Sequence, residues 1–184
     1  MEAVSQEAPE GVDFLTALLV CHREIGSASL SFEENRLRLS FYLHRRAEDS
    51  EWDSLKELIS LSWAAFFRLQ RSQPALAEFK RGEWGKGELP FEHESQEELE
   101  VESLSLVRDL RSVTTEEISM LVSLVKDHFR SDLASNEETL NKDEDHQEEM
   151  LYRTLERLRG IQAPGTLTGF RDDMRVLIYS SLDR

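Results

Sequence analysis

An α+β fold is what this chain predicts, with an antiparallel or mixed sheet, and three observations carry that reading. Residues 27–44 and 167–179 each show period-two alternation on two arms joined by a polar turn, the pattern of a β-hairpin with one buried face. Four other segments repeat apolar residues at helical spacing. Helices and strands do not alternate one for one, which disfavours a doubly wound parallel sheet. The predicted order is α-β-β-α-β-α-α-β-β: two hairpins plus one central strand, with the helices packed mainly on one face.

The elements follow in order. Residues 1–11 read as a flexible acidic leader, and residues 12–184 as a single α+β domain. Phe14, Leu15, Leu18, Leu19 and Cys21 share a helical face, and Gly26 ends that helix. Ala28, Leu30 and Phe32 then alternate with serines. Across the turn Glu33-Glu34-Asn35, the residues Leu37, Leu39, Phe41 and Leu43 alternate with Arg38, Ser40, Tyr42 and His44. Ser50 is placed to cap a long helix, with Asp53 as its capping-box partner. Trp52, Leu55, Leu58, Ile59, Trp63, Phe66 and Phe67 make that helix apolar over most of its girth, as expected of a central core helix covered on more than one side. It should stop before Pro74.

Residues 80–96, punctuated by Gly82, Gly85, Gly87 and Pro90, read as a loop and as the candidate internal boundary. A strand resumes at Leu99 and Val101, and the shift of apolar parity to Leu104 and Leu106 predicts a β-bulge near Ser103. Thr114, Glu117, Val113 and Ile118 then spell a capping box and staple for a helix whose core face is Ile118, Leu121, Val122, Val125 and Phe129. Residues 131–147 read as a mobile acidic loop. The last helix uses Met150, Leu151, Leu155 and Leu158, with Gly160 as a left-handed cap. The second hairpin turns at Asp172-Asp173.

Composition narrows function more than any motif does. The 184 residues hold 37 acids against 22 Lys and Arg, a formal charge of −15. The excess is local. Glu92, Glu94, Glu97, Glu98, Glu100 and Glu102 crowd residues 92–102 with no Lys or Arg among them, and residues 136–149 hold seven acids against Lys142. Such segments repel nucleic acid and anionic lipid and attract basic surfaces, so direct nucleic-acid binding is disfavoured. A single cysteine excludes an internal disulfide and Cys-based zinc motifs. The acidic N-terminus is unlike a secretory signal, and the apolar run 14–21 is too short to cross a bilayer, so a cytoplasmic protein without membrane contact is expected.

Apparent chemical motifs fail on inspection. Residues 141–152 imitate a calcium loop, yet His146 stands where Gly is needed and Tyr152 where a bidentate Glu is needed. Asp143, His146 and Glu149 share a helical face, but no second Glu-x-x-His or His-x-x-x-His completes a metal site. Gly82 to Glu88 lacks the Lys-Ser/Thr of a phosphate loop. Cys21, on an apolar helical face, is expected to be an inert core thiol. No cofactor is implied.

Two surface features remain. Arg36, Arg38, Tyr42 and His44, continuing into Arg45 and Arg46, mark the hairpin's outer face as basic and aromatic, a combination that stacks single-stranded bases in some sheets and is a plain solvated face in most. Trp84 and Phe91 sit in a Gly-containing loop flanked by acids, where large aromatics either tuck into the core or anchor a partner. The expectation is a non-enzymatic interaction or regulatory protein. Its acids, Glu94, Glu97, Glu98 and Glu100 among them, would engage a basic protein surface, with Trp84 or Phe91 as anchors and Arg38 and Tyr42 as a second contact face. The alternatives are a nucleic-acid mimic or nucleic-acid-associated protein, and an enzyme with carboxylate or metal chemistry.

Overall fold

A computed structural model describes residues 9–82, 102–134, 144–172 and 175–181. The order is α1 (Pro9–Cys21), β1 (Ser27–Ser31), β2 (Arg36–Leu43), α2 (Asp49–Gln70), β3 (Ala77–Arg81), β4 (Glu102–Asp109), α3 (Thr115–Phe129), a single 3-10 turn (Arg130–Asp132), α4 (Glu144–Leu158), β5 (Thr166–Asp172) and β6 (Arg175–Ser181). All six strands join one sheet, β3-β4-β2-β1-β5-β6, and every pairing is antiparallel. The α+β class and both hairpins are as the sequence predicts.

Strand parity sets one face inward. Ala28 and Leu30 of β1, the Leu37, Leu39, Phe41 and Leu43 row of β2, Leu104 and Leu106 of β4, and Leu167 of β5 are all buried in one core. Helix α1 lies against this face so closely that a side-chain carbon added at Gly169 would meet Leu19 at 3.0 Å. At Gly11 one would meet Leu167 at 2.6 Å, so β5 and α1 pack through glycine. Helix α4 adds Leu151, Leu155 and Leu158, and the expected face of α3 is buried without exception. The opposite face presents serines and threonines with Arg36, Arg38, Tyr42, Phe170 and Tyr179, the split expected of an antiparallel sheet packed on one side.

Several expectations change. A sixth strand, β3, overlaps the start of the 80–96 loop and pairs with β4 at the sheet edge; with Phe79 the one large apolar residue on its inward side, its five residues carry almost no period-two signal. The predicted bulge near Ser103 is absent. Pairing of β2 with β4 runs one for one from Arg36↔Asp109 to Leu43↔Glu102, so the residues sharing the inward side with Leu104 and Leu106 are Glu102 and Arg108. Leu99 and Val101, whose parity differs from that of Leu104 and Leu106, lie outside the described residues. Helix α1 takes in Pro9, Glu10 and Gly11 of the expected leader. Helix α2 starts earlier than Ser50: Glu48 is its N-cap and forms a capping box with Glu51. The left-handed glycine after α4 is Gly165 (φ 84°), not Gly160.

Helix α2 is also not the central helix. It buries only Trp52, Leu55, Ile59 and Trp63, while Leu58, Leu61 and Leu69 are 40%, 63% and 83% exposed. Among the described residues nothing covers its far side.

Candidate functional site

The charged interior is the least expected feature of the molecule. Glu102, Arg108, Asp109 and Glu117 are all buried, and they form two clusters built on one plan. In the first, Glu117 at the start of α3 accepts from Arg108 Nε (2.5 Å) and Nη2 (3.0 Å), and from the Trp63 indole N–H (2.8 Å). Arg108 Nη1 also donates to Asp109 (2.5 Å) and to the Leu76 carbonyl, while the Phe67 ring lies 5.0 Å from its guanidinium. Asp109 in turn accepts from the Ser112 N–H (3.1 Å) and hydroxyl (2.6 Å) and the Leu76 N–H (3.2 Å). Burial pushes the Asp109 carboxyl up; Ser112, the Leu76 N–H and Arg108 outweigh it and hold the group below its ordinary value.

In the second cluster Glu102 accepts from the Ala47 N–H (2.6 Å), the Trp52 indole N–H (3.1 Å) and Arg81 Nε (2.7 Å). Arg81 reaches on to Asp49 (2.6 Å) and lies 5.2 Å over the Trp52 ring. Both indoles come from α2. They are eleven residues apart, close to three full turns, so one helix face delivers both N–H donors. Each buried carboxylate has donors on both of its oxygens, which is how a buried charge is retained. These clusters hold α2 to β4 and α3, and their acids are committed to that role.

Neither cluster is legible in the sequence. In the sequence Glu102 belongs to an acidic run expected in solvent, and Glu117 stands at the capping-box position. Thr114 does cap α3, accepting from the Glu117 N–H (3.2 Å), but the Glu117 side chain turns into the core. The signal that remained readable was the pair of tryptophans on one helical face, since a buried indole N–H needs an acceptor.

Of the surface candidates, Trp84, Phe91, Glu94, Glu97, Glu98 and Glu100 lie outside the described residues, as does most of the 131–147 loop. Arg38 is exposed on the outer sheet face, opposite Ser29 and Val107. Tyr42 lies on the same face but folds over Gly26, where an added side-chain carbon would meet its ring at 2.3 Å, and its hydroxyl pairs with that of Ser27 (2.8 Å). Of the neighbouring basic residues, Arg36 is spent on Glu34 (3.1 Å), and Arg45 on Glu51 (2.6 Å) and Asp132 (2.9 Å).

Both acidic segments leave the described fold at the same end of the sheet. The chain departs at Gly82, whose N–H donates to the Ser103 carbonyl (2.8 Å), and returns at Glu102, opposite Leu43. It departs again at Ala134, whose N–H donates to the Tyr42 carbonyl (2.8 Å), and Tyr42 is itself paired with Ser103. The returning helix α4 runs its first turns beside the end of α1, where His146 and Met150 share a groove with Val20 and Cys21, and Glu148 helps to raise the Cys21 thiol. Burial is the larger cause, and together they push Cys21 up to about 11, far from a thiolate at neutral pH.

A groove of about 450 Å³ lies between α1 and α4, lined by Ala17, Val20, Cys21, His146, Met150 and Arg153. Another of about 440 Å³ lies beside Asn35, Arg111, Arg159 and Pro164. Among the described residues no group of three or more His, Cys, Asp or Glu is placed to hold a metal ion, and no helix is long and apolar enough to cross a membrane. No family model, curated protein or solved structure matches this chain.

Proposed function

We propose that this is a non-catalytic interaction protein that engages a basic protein surface with acids gathered at one end of its sheet. The observation that supports this reading most is the shared origin of the two acidic segments. Gly82 and Glu102 flank one, Ala134 and Glu144 flank the other, and Ser103, Tyr42 and Ala134 tie these points together through adjacent backbone positions. Charge that is split in the sequence is thereby rooted at one place.

Three of the cations near that end are already engaged by local acids: Arg81 by Glu102 and Asp49, Arg45 by Glu51 and Asp132, and Lys126 by Glu24 (2.7 Å). They are poorly free to neutralise the segments. A concentrated negative end steers a positive partner and selects against negative ones, acting on association rate before affinity. The buried carboxylates, by contrast, support binding rather than acid–base chemistry, because indole, arginine and backbone donors already fill their oxygens.

The test is association kinetics with a partner captured from the host, at low and high salt. Replacing Glu94, Glu97, Glu98 and Glu100 together by Gln should slow association at low salt and flatten its salt dependence. An on-rate indifferent to salt and to the four substitutions removes the proposal. If duplex DNA competes for the same partner site, the acidic end acts as a nucleic-acid mimic.

A further inference from the structure

We propose that the uncovered side of α2 is where two copies of this chain pair, antiparallel about a twofold axis. Leu58, Leu61, Ala65 and Leu69 succeed one another at spacings of three and four, forming a second apolar stripe beside the buried Trp52–Trp63 face. Three of the four are large and well exposed, Leu69 by 83% and Leu61 by 63%. A helix with one apolar stripe is explained by its own core. Two stripes call for a second contact.

The charges beside the stripe identify the occupant. Glu57 and Arg68 are exposed, and neither has an ion-pair partner among the described residues. They are eleven residues apart, so they lie on the same flank, about 16 Å from one another along the axis. The rest of the helix repeats that polarity. Its first half carries Asp49, Glu51, Asp53 and Glu57 against Lys56, and its last turn and cap carry Arg68 and Arg71.

An antiparallel copy centred near Ser62 and Trp63 brings Glu57 of each helix beside Arg68 of the other, twice by symmetry. Residues on one flank of an antiparallel pair meet the same flank of the partner, and a twofold contact requires this self-complementarity. A parallel copy would set the two acidic first halves side by side and put the Glu57 and Arg68 flanks on opposite sides, so neither pair would form. The small Ala65 lies near the centre, where two helices must approach most closely. One helix per subunit is a contact below the size of most stable interfaces, so the pairing belongs in the micromolar range.

Sedimentation equilibrium of the full chain tests this. The mass should rise from 21.3 kDa toward twice that value with concentration. Leu61→Glu should weaken pairing by about tenfold or more, as expected at the centre of an interface. Glu57→Arg and Arg68→Glu should each weaken it several-fold, and the two together should restore it. All three side chains are exposed, so thermal melts of the variants confirm that the fold is unchanged. A constant 21.3 kDa, a dimer indifferent to Leu61→Glu, or a double reversal no better than the single ones overturns the proposal.

Discussion

The two tryptophan–carboxylate–arginine clusters use the same three residue types, yet they differ in their access to water. Glu117 and Arg108 are 0% and 2% exposed, and Arg108 carries a second buried acid, Asp109. Glu102 is as deeply buried at 1%, but its arginine, Arg81, is 31% exposed and turns outward to Asp49, which is 88% exposed. The first cluster is sealed and the second is vented. Desolvation makes the difference matter. A charge left alone inside protein has no solvent to fall back on, whereas one at the rim recovers much of its hydration. One helix face supplies both indoles, so what differs is only how far each arginine lies from the sheet edge: Arg108 on β4 is covered by α2 and α3, and Arg81 stands on the edge strand β3.

The largest expected effect follows directly. Glu117→Ala strands Arg108 and the Trp63 N–H in the core and should cost about 3–5 kcal/mol in denaturant unfolding, the range for breaking a buried pair. Glu102→Ala leaves the Ala47 and Trp52 N–H groups unpaired but frees Arg81 to swing into water, and about 2–3 kcal/mol is expected. Equal losses would break the distinction between sealed and vented.

Acid sharpens the comparison further. Asp109 titrates below its ordinary value in the folded chain, so its contribution is fully present above the unfolded carboxylate pKa, about 4, and is lost as pH falls through the folded value. Asp109→Asn should therefore flatten the acid limb of the stability–pH curve. Asp49 is also held low, chiefly by its hydrogen bond to Arg81, but it stands in solvent, where salt screens it. Asp49→Asn should leave that limb almost unchanged in moderate salt. A matching response at both aspartates would show that solvent reaches the sealed cluster.

The smallest effect concerns the end of the helix that carries both indoles. Arg71 caps α2 in the left-handed region (φ 51°, ψ 36°), where a side chain is strained and glycine is not. Arg71→Gly should raise stability by about 1 kcal/mol. That gain should add to the loss in Glu102→Ala, whose site lies at the other end of the helix. A gain that vanishes only in Glu117→Ala would mean that the sealed cluster and the helix end unfold as one unit.

How much of this the sequence disclosed depends on the signal each part leaves. The β1–β2 hairpin and the core face of α3 were readable residue by residue, because alternation and helical spacing are local patterns imposed by one buried side. Strand β3 was not, since a five-residue edge strand with one inward aromatic is indistinguishable from a charged loop. The buried glutamates were misread for a related reason: in isolation a carboxylate belongs in water, and only partners distant in the chain reverse that preference. Glu102 finds Trp52 fifty residues away, and Glu117 finds Trp63 fifty-four away.

By itself, then, the sequence determined the class of fold, its two hairpins, the capped start of α3 and the concentration of negative charge in two segments, all properties set by composition and short-range periodicity. Tertiary structure alone decided which acids are buried, that α2 leaves one apolar stripe open, and that the acidic segments share an origin at one end of the sheet. Those outcomes depend on which distant residues meet. Burial and electrostatics follow from such meetings, because the cost of a charge is set by its surroundings and not by its neighbours in the chain.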